Sequence, residues 1–416
     1  MTVQKKSALW FVLITLLIDF TGFGIIIPVV PKLIEQLIGG DLSDASLYGG
    51  WLTFAYAFTQ FIWAPIIGGI SDRYGRRPVL LASLFGLGID YIFLSLAPTI
   101  WWLFVGRILA GITGASYSAA GAYIADISPP EKRSQNFGLV GAVFGIGFIV
   151  GPVIGGLFSK FGPRVPFLVA AFLSLVNWVY GYFILPESLP KESRRKFDWK
   201  RANPIGVILR VRKYPKTISG LLLSIALIFL ANQSSESTWT YYTMEKFLWD
   251  SEMVGYSLGV VGITMAIVQG GLLRIIIPKL GQKNSAYIGI FTRVVISILF
   301  ALATQGWMMY ALLVPFALCF VATPAMQGYV SNHIPHNEQG ELQGIMAGIM
   351  SITSIIGPVL MTNLFHYFSK PGTDPYFPGA PFLMSAVLAL ASGIICFSCF
   401  RIENEAASSV VTESSN

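Results

Sequence analysis

The sequence predicts an all-α integral membrane protein, with twelve transmembrane helices in two pseudo-symmetric six-helix halves. Three observations carry that prediction. The second half repeats the first 206 positions later without a gap: Trp101 matches Trp307, Pro129 matches Pro335, Gly138 matches Gly344, and Gly151-Pro152 matches Gly357-Pro358. Apolar residues make up 54% of the 416 and charged residues 12%, where a soluble domain carries about 25% charge; mean hydropathy is +0.66. Apolar runs able to cross about 30 Å of hydrocarbon, roughly 20 residues each, recur twelve times. A duplicated, strongly apolar chain implies two homologous halves enclosing a path between them.

The first run covers 8–33. Lys5-Lys6 before it imitates a secretory signal, but the run is long, carries Asp19 and lacks a small-residue cleavage site. From Asp19 to Pro28 it sets a carboxylate mid-span, followed by Gly22, Gly24 and a proline that let the helix bend. A carboxyl group held in hydrocarbon is suited to carry a proton. The second run, 48–70, leads into Gly68-Gly69-Ile70-Ser71-Asp72-Arg73-Tyr74-Gly75-Arg76-Arg77. Gly68 lets helices approach and Gly75 permits a tight turn. Asp72 is placed to cap a helix or to pair with Arg73, Arg76 or Arg77, forming a charge latch on the inner face. The repeat has Pro278 at the Asp72 position and Gly281 at the Gly75 position, so only the first-half latch is complete.

The third run, 78–97, holds Asp90, read as a second proton site or a structural hydrogen-bonder. Arg107 lies inside the fourth, 101–125; an intramembrane charge is a functional candidate that needs a partner. The fifth, 135–159, carries Gly147, Gly151, Pro152, Gly155 and Gly156. So many glycines cost helix propensity and make sense where a helix bends and a partner packs on a side-chain-free face. The sixth run is 165–185, and 186–216 is a basic linker. The seventh, 217–243, is polar from Asn232 to Thr238. The remaining runs lie at 253–277, 284–304, 307–331, 340–368 and 379–401, before a polar tail, 403–416, expected to be disordered.

Basic residues set the topology, because basic loops stay in the cytoplasm. Lys5, Lys6, the Arg73/Arg76/Arg77 loop, Lys132-Arg133, the linker and Lys279/Lys283 fall on one side, so both termini are expected there. Cys319, Cys396 and Cys399 show neither disulfide nor zinc spacing. No nucleotide-binding loop appears, and no nucleophile–base or metal cluster points to an enzyme. No cofactor and no nucleic-acid partner is implied; the bilayer, a small-molecule substrate and protons are the expected partners, and a monomer suffices.

The ten-residue loop from Gly68, Arg107 to Gly114, and Gly147 to Gly156 resemble the corresponding motifs of the major facilitator superfamily. The fifth-helix pattern is found in its antiporters and is usually missing from its uptake symporters, which implies export. More narrowly, the chain is similar to the tetracycline/proton antiporters. The likeness runs through Asp19 to Pro31, Trp63-Ala64-Pro65 to Leu81, Asp90-Tyr91, Gly106 to Ala115, Ile124-Ala125-Asp126, Trp249 to Leu258, Pro324-Ala325-Met326-Gln327 and Glu338 to Gly344. It implies that Asp19 and Asp90 take part in proton coupling and that Arg107 assists proton transfer or orders the core. Two positions depart from it. The ninth-helix aspartate of that group is Arg293 here, and Glu236 stands three residues before Trp239 where a small residue is usual. Glu236 pairs with Arg293, takes over proton carriage, or faces water at the outer boundary. The cation at 293 weakens inheritance of tetracycline as cargo.

Candidate cargo contacts are Tyr56, Gln60, Gln233, Trp239, Gln269 and Gln327, an aromatic and amide set suited to an amphipathic planar molecule. The expected function is proton-coupled efflux of such a molecule, a tetracycline-like drug first, driven by the proton gradient of a bacterial inner membrane. The alternatives are a proton-coupled importer or facilitator of a metabolite, or a non-transporting receptor on the same fold.

Overall fold

The computed structural model describes residues 3–114, 116–195, 210–335 and 338–414, and all regular structure among them is helical. The first expected span is broken rather than bent. α1 (Val3–Ile26) stops before Pro28, and α2 (Val30–Ile38) starts after a turn over 27–29. Proline lacks the N–H that would continue the ladder, and its ring clashes with the preceding turn.

α3 (Leu42–Tyr74) begins at an Asp41 cap that accepts the Asp44 N–H at 2.8 Å. It reaches α4 (Arg76–Ser95) through Gly75 alone, at φ 109° and ψ 160°. Only glycine adopts that backbone without strain. The fourth span comprises α5 (Ile100–Gly114) and α6 (Ser116–Ile127), the fifth is α7 (Pro130–Phe158) and the sixth α8 (Val165–Ile184). Most of the basic linker, 196–209, lies outside the described residues.

α9 (Lys216–Phe247) runs unbroken through its polar stretch. Next come α10 (Ser251–Ile267), a π-helical turn at Val268–Leu272, and α11 (Leu273–Leu302). That continuous stretch has 52 residues, far more than one crossing needs. Gly281, at φ 77° and ψ 166°, folds it into the eighth and ninth spans, as Gly75 does in the first half. α12 (Gly306–Phe316) and α13 (Ala322–Asn332) flank a 3₁₀ turn at Ala317–Val321, and α14 (Gln339–Ser369) and α15 (Ala380–Ser414) complete the chain. The tail expected to be disordered continues α15 as helix to Ser414; Glu403, Glu405, Ala406 and Ala407 are strong helix formers that extend an existing nucleus at little cost.

The helices form two compact units. Met1–Pro204 and Thr240–Ile263 make one; Ile205–Trp239 and Thr264–Asn416 make the other. The first has a core around Phe11, Leu16, Tyr123 and Ile124. The second is built on Leu221, Ile225, Met326, Ile345 and Phe400. Trp101 and Trp307, which are repeat equivalents, are 69% and 64% exposed at the starts of α5 and α12.

Candidate functional site

The first unit collects three of the charged candidates of the membrane interior, Asp19, Asp90 and Arg107. Arg107 on α5 donates from Nη2 to Asp90 Oδ2 on α4 at 2.8 Å, which supplies the partner that an intramembrane arginine requires. A Cβ at Gly106 would fall 2.8 Å from Asp90 Oδ1, so glycine there admits the carboxylate against α5. The Arg107 guanidinium carbon lies 6.0 Å from the centroid of Tyr56. Gln60 Nε2 donates to the Tyr56 hydroxyl at 3.1 Å and to the Gly114 carbonyl at 3.3 Å. Tyr91 packs over Gly22, where a Cβ would lie 3.3 Å from its hydroxyl, and it feels the charges of Arg107, Asp90 and Asp19. Asp19 is half-buried on α1, and its Oδ1 is buried without a hydrogen bond among the described residues. Asp19, Tyr56, Gln60, Asp90 and Arg107 thus belong to one neighbourhood.

The glycines of α7 explain how α1 is held beside it. A Cβ on Gly147 would lie 2.6 Å from the Phe20 Cβ; one on Gly151 would lie 2.6 Å from the Thr21 carbonyl and 2.8 Å from the Gly24 Cα. Gly155 meets the Ile25 carbonyl in the same way, and a Cβ on Gly24 would approach Pro152 Cδ to 2.8 Å. The two helices therefore touch backbone to backbone along the segment that carries Asp19. On its other side, Gly156 sits against Ser251 and Glu252 at the start of α10, and Gly255 against Pro152. Lys160 Nζ and Glu252 Oε2 close that contact at 2.8 Å, with the Tyr256 hydroxyl donating to Glu252 Oε1 at 2.8 Å.

The loop from Gly68 to Arg77 forms an ion network centred on Arg76 rather than a single pair. Its guanidinium reaches Asp72 at 2.6 Å and Asp126 at 3.3 Å, and its backbone N–H donates to Glu187 at 2.8 Å. Arg77 donates to the Tyr182 carbonyl at 2.7 Å, and Arg73 stacks on Tyr74. Gly68 lies on α3 one turn before Asp72. The repeat carries a neutral version. Gln282, 206 positions after Arg76, receives a 3.4 Å hydrogen bond from Asn332, 206 after Asp126. Lys283 lies over the rings of Tyr329 and Phe400 at 5.5 and 5.3 Å. Asp126 was visible only as part of a family-like stretch, and Glu187 carried no sequence signal beyond its place after the sixth span.

In the second unit Arg293 is buried on α11. It donates from Nη2 to the Ala231 carbonyl at 2.7 Å and from Nε to Ser385 Oγ at 3.2 Å, and its guanidinium covers the Phe316 ring at 5.2 Å. No ion pair joins it to Glu236 among the described residues; it attracts that carboxylate through space. Glu236 is exposed on α9, with Oε2 held by Gln233 Nε2 at 2.8 Å. Gln233 is buried against Gly357 of α14. Trp239 is also buried, edge-on to Phe300 and Phe382 with centroids 5.3 and 6.4 Å away, as part of the packing. Gln269 is exposed within the π-helical turn, and Gln327 is half-buried on α13. Ser385, Phe316 and the Ala231 carbonyl were invisible to the sequence reading, because nothing local marks a carbonyl that will receive a distant guanidinium.

A family model described as the Major Facilitator Superfamily matches residues 12–322 and 280–415. Tetracycline resistance protein, class C, of Escherichia coli is 39% identical over 87% of this chain and 90% of its own length. Tetracycline resistance protein, class E, of Escherichia coli is 37% identical over 85% and 86%. Among solved structures, the nucleoside transporter NupG superposes with a TM-score of 0.78 at 12% identity, covering 94% of this chain and 100% of that one. That likeness shows a shared fold.

Proposed function

Because the chain belongs to the major facilitator superfamily, we propose that this multi-pass membrane protein exports an amphipathic small molecule from the cytoplasm in exchange for protons. A tetracycline-like drug is the first cargo to consider, given the names its relatives carry. Both termini are assigned to the cytoplasm, in a bacterial inner membrane, and the sequence halves 1–185 and 217–402 act as the moving parts.

Asp19 carries the reading. A carboxylate mid-span, with one oxygen buried and without a hydrogen bond among the described residues, is costly unless a proton or a ligand completes it. Cargo and proton then compete for the same group. Protonation from outside releases cargo, and loss of the proton inside restores binding. Asp90, fixed by Arg107, keeps a charge pair beside Asp19 that couples the carboxylate to α4 and α5. Arg293 and Glu236 set the field of the second unit.

The test uses inverted vesicles with an imposed proton gradient. Addition of tetracycline, and then of a panel of amphipathic drugs, should release protons in wild type and not in Asp19→Asn. Release by another compound alone would discard tetracycline as cargo. Equal silence in wild type and variant would refute antiport and favour the importer or receptor.

A further inference from the structure

Glu236 is a charge presented from an otherwise self-satisfied face. In the polar stretch of α9, the hydroxyls of Ser234, Ser237 and Thr238 fold back onto the carbonyls of Ala231, Gln233 and Ser234. Ser234 and Thr238 are buried, whereas Glu236 is exposed. Its direction is not that of the exposed apolar side chain on the same helix. Leu223, 52% exposed, lies thirteen residues earlier, which at 3.6 residues per turn is about 140° around the helix.

The carboxylate is also positioned. A Cβ on Gly357 would stand 2.7 Å from the Gln233 Cβ, so α14 pins the Gln233 side chain. The pinned amide donates to Oε2 at 2.8 Å and leaves Oε1 outside that bond. Arg293 spends its donors on the Ala231 carbonyl, Ser385 and the Cys319 thiol, and its face on Phe316. The cation therefore holds the carboxylate by attraction without consuming it in an ion pair.

We propose that Glu236 is a specificity-determining residue that admits a second cargo class: amphipathic molecules with a permanent positive charge, such as aryl phosphonium or quaternary ammonium compounds. The proposal rests on the transporter reading above and extends its cargo. A face whose hydroxyls are committed to backbone carbonyls offers little hydrogen-bond readout. It offers charge, which a cation without donors satisfies fully.

Equilibrium dialysis of tetraphenylphosphonium against the purified full chain in detergent tests this, with tetracycline measured in parallel. Wild type should bind tetraphenylphosphonium saturably. Glu236→Gln, which keeps the volume and the Gln233 contact, should weaken it by about tenfold or more, the scale of one partly screened charge pair. Glu236→Asp should stay within about threefold of wild type, and in Glu236→Gln the loss of phosphonium binding should exceed any loss of tetracycline binding by about threefold or more. Absence of saturable phosphonium binding to wild type overturns the proposal. So does unchanged binding in Glu236→Gln, or an equal loss of both ligands in that variant. If tetracycline binds no form while phosphonium binding is lost only in Glu236→Gln, tetracycline falls as cargo and this proposal stands.

Discussion

The Asp90–Arg107 pair makes an asymmetric prediction. Its two side chains are 1% and 14% exposed, respectively, so removal of one partner strands very different charges. In Arg107→Gln, the almost fully enclosed Asp90 loses its bond on Oδ2, and Oδ1 already has none. Breaking a buried pair in this way costs about 3–5 kcal/mol. In Asp90→Asn, the guanidinium keeps some access to water and the face of Tyr56 at 6.0 Å. A cation–π contact recovers about 1 kcal/mol, so the expected cost is about 2 kcal/mol. The double variant buries two neutral amides and should cost about as much as Asp90→Asn alone, well below the summed single effects. Thermal unfolding of the purified chain in one detergent gives the ordering: Arg107→Gln melts lowest, and Asp90→Asn and the double variant melt together above it. Additive losses, or Arg107→Gln melting at or above Asp90→Asn, would refute an interior ion pair.

Two further outcomes follow from the packing and the loops. Gly151→Val should part α1 from α7, costing about 2 kcal/mol of stability or more as overpacking does, and should abolish cargo-driven proton release even though Asp19 is untouched. Raising salt from about 0.02 M to 0.5 M should lower the melting temperature of wild type more than that of Arg76→Ala, because screening reaches the more open Asp72 and Asp126 ends of the Arg76 network, while the Lys160–Glu252 pair responds in both. Gln282→Ala should instead keep the wild-type salt response, since the Asn332 bond it removes is neutral.

Much of this was legible in the sequence for physical reasons. Apolar runs report membrane crossings because hydrocarbon tolerates little else. Gly75 and Gly281 report turns because no other residue adopts their backbone. The glycines of α7 announced a close approach, although not that α1 was the neighbour on one side and α10 on the other. What stayed hidden depends on three-dimensional pairing. Pro28 reads the same whether it bends a helix or breaks it. Trp239 reads as a cavity wall or as packing, and Phe300 and Phe382 enclose it. Arg293 invited an acidic partner, but a backbone carbonyl and a serine from distant helices hold it.

The seam between α1 and α7 also governs which sequence changes the protein can absorb. At Gly86 the obstacle to a larger residue is the side chain of Thr113, so a second change that trims Thr113 would make room. At Gly151 every obstacle is main chain: the Thr21 carbonyl and the Gly24 Cα and carbonyl carbon. No substitution removes a backbone atom. A genetic search for second-site suppressors should therefore recover partners for damage at Gly86 and return only reversion at Gly151. Along that stretch the two helices can diversify only where they face away from each other, and the position of Asp19 is inherited with the seam.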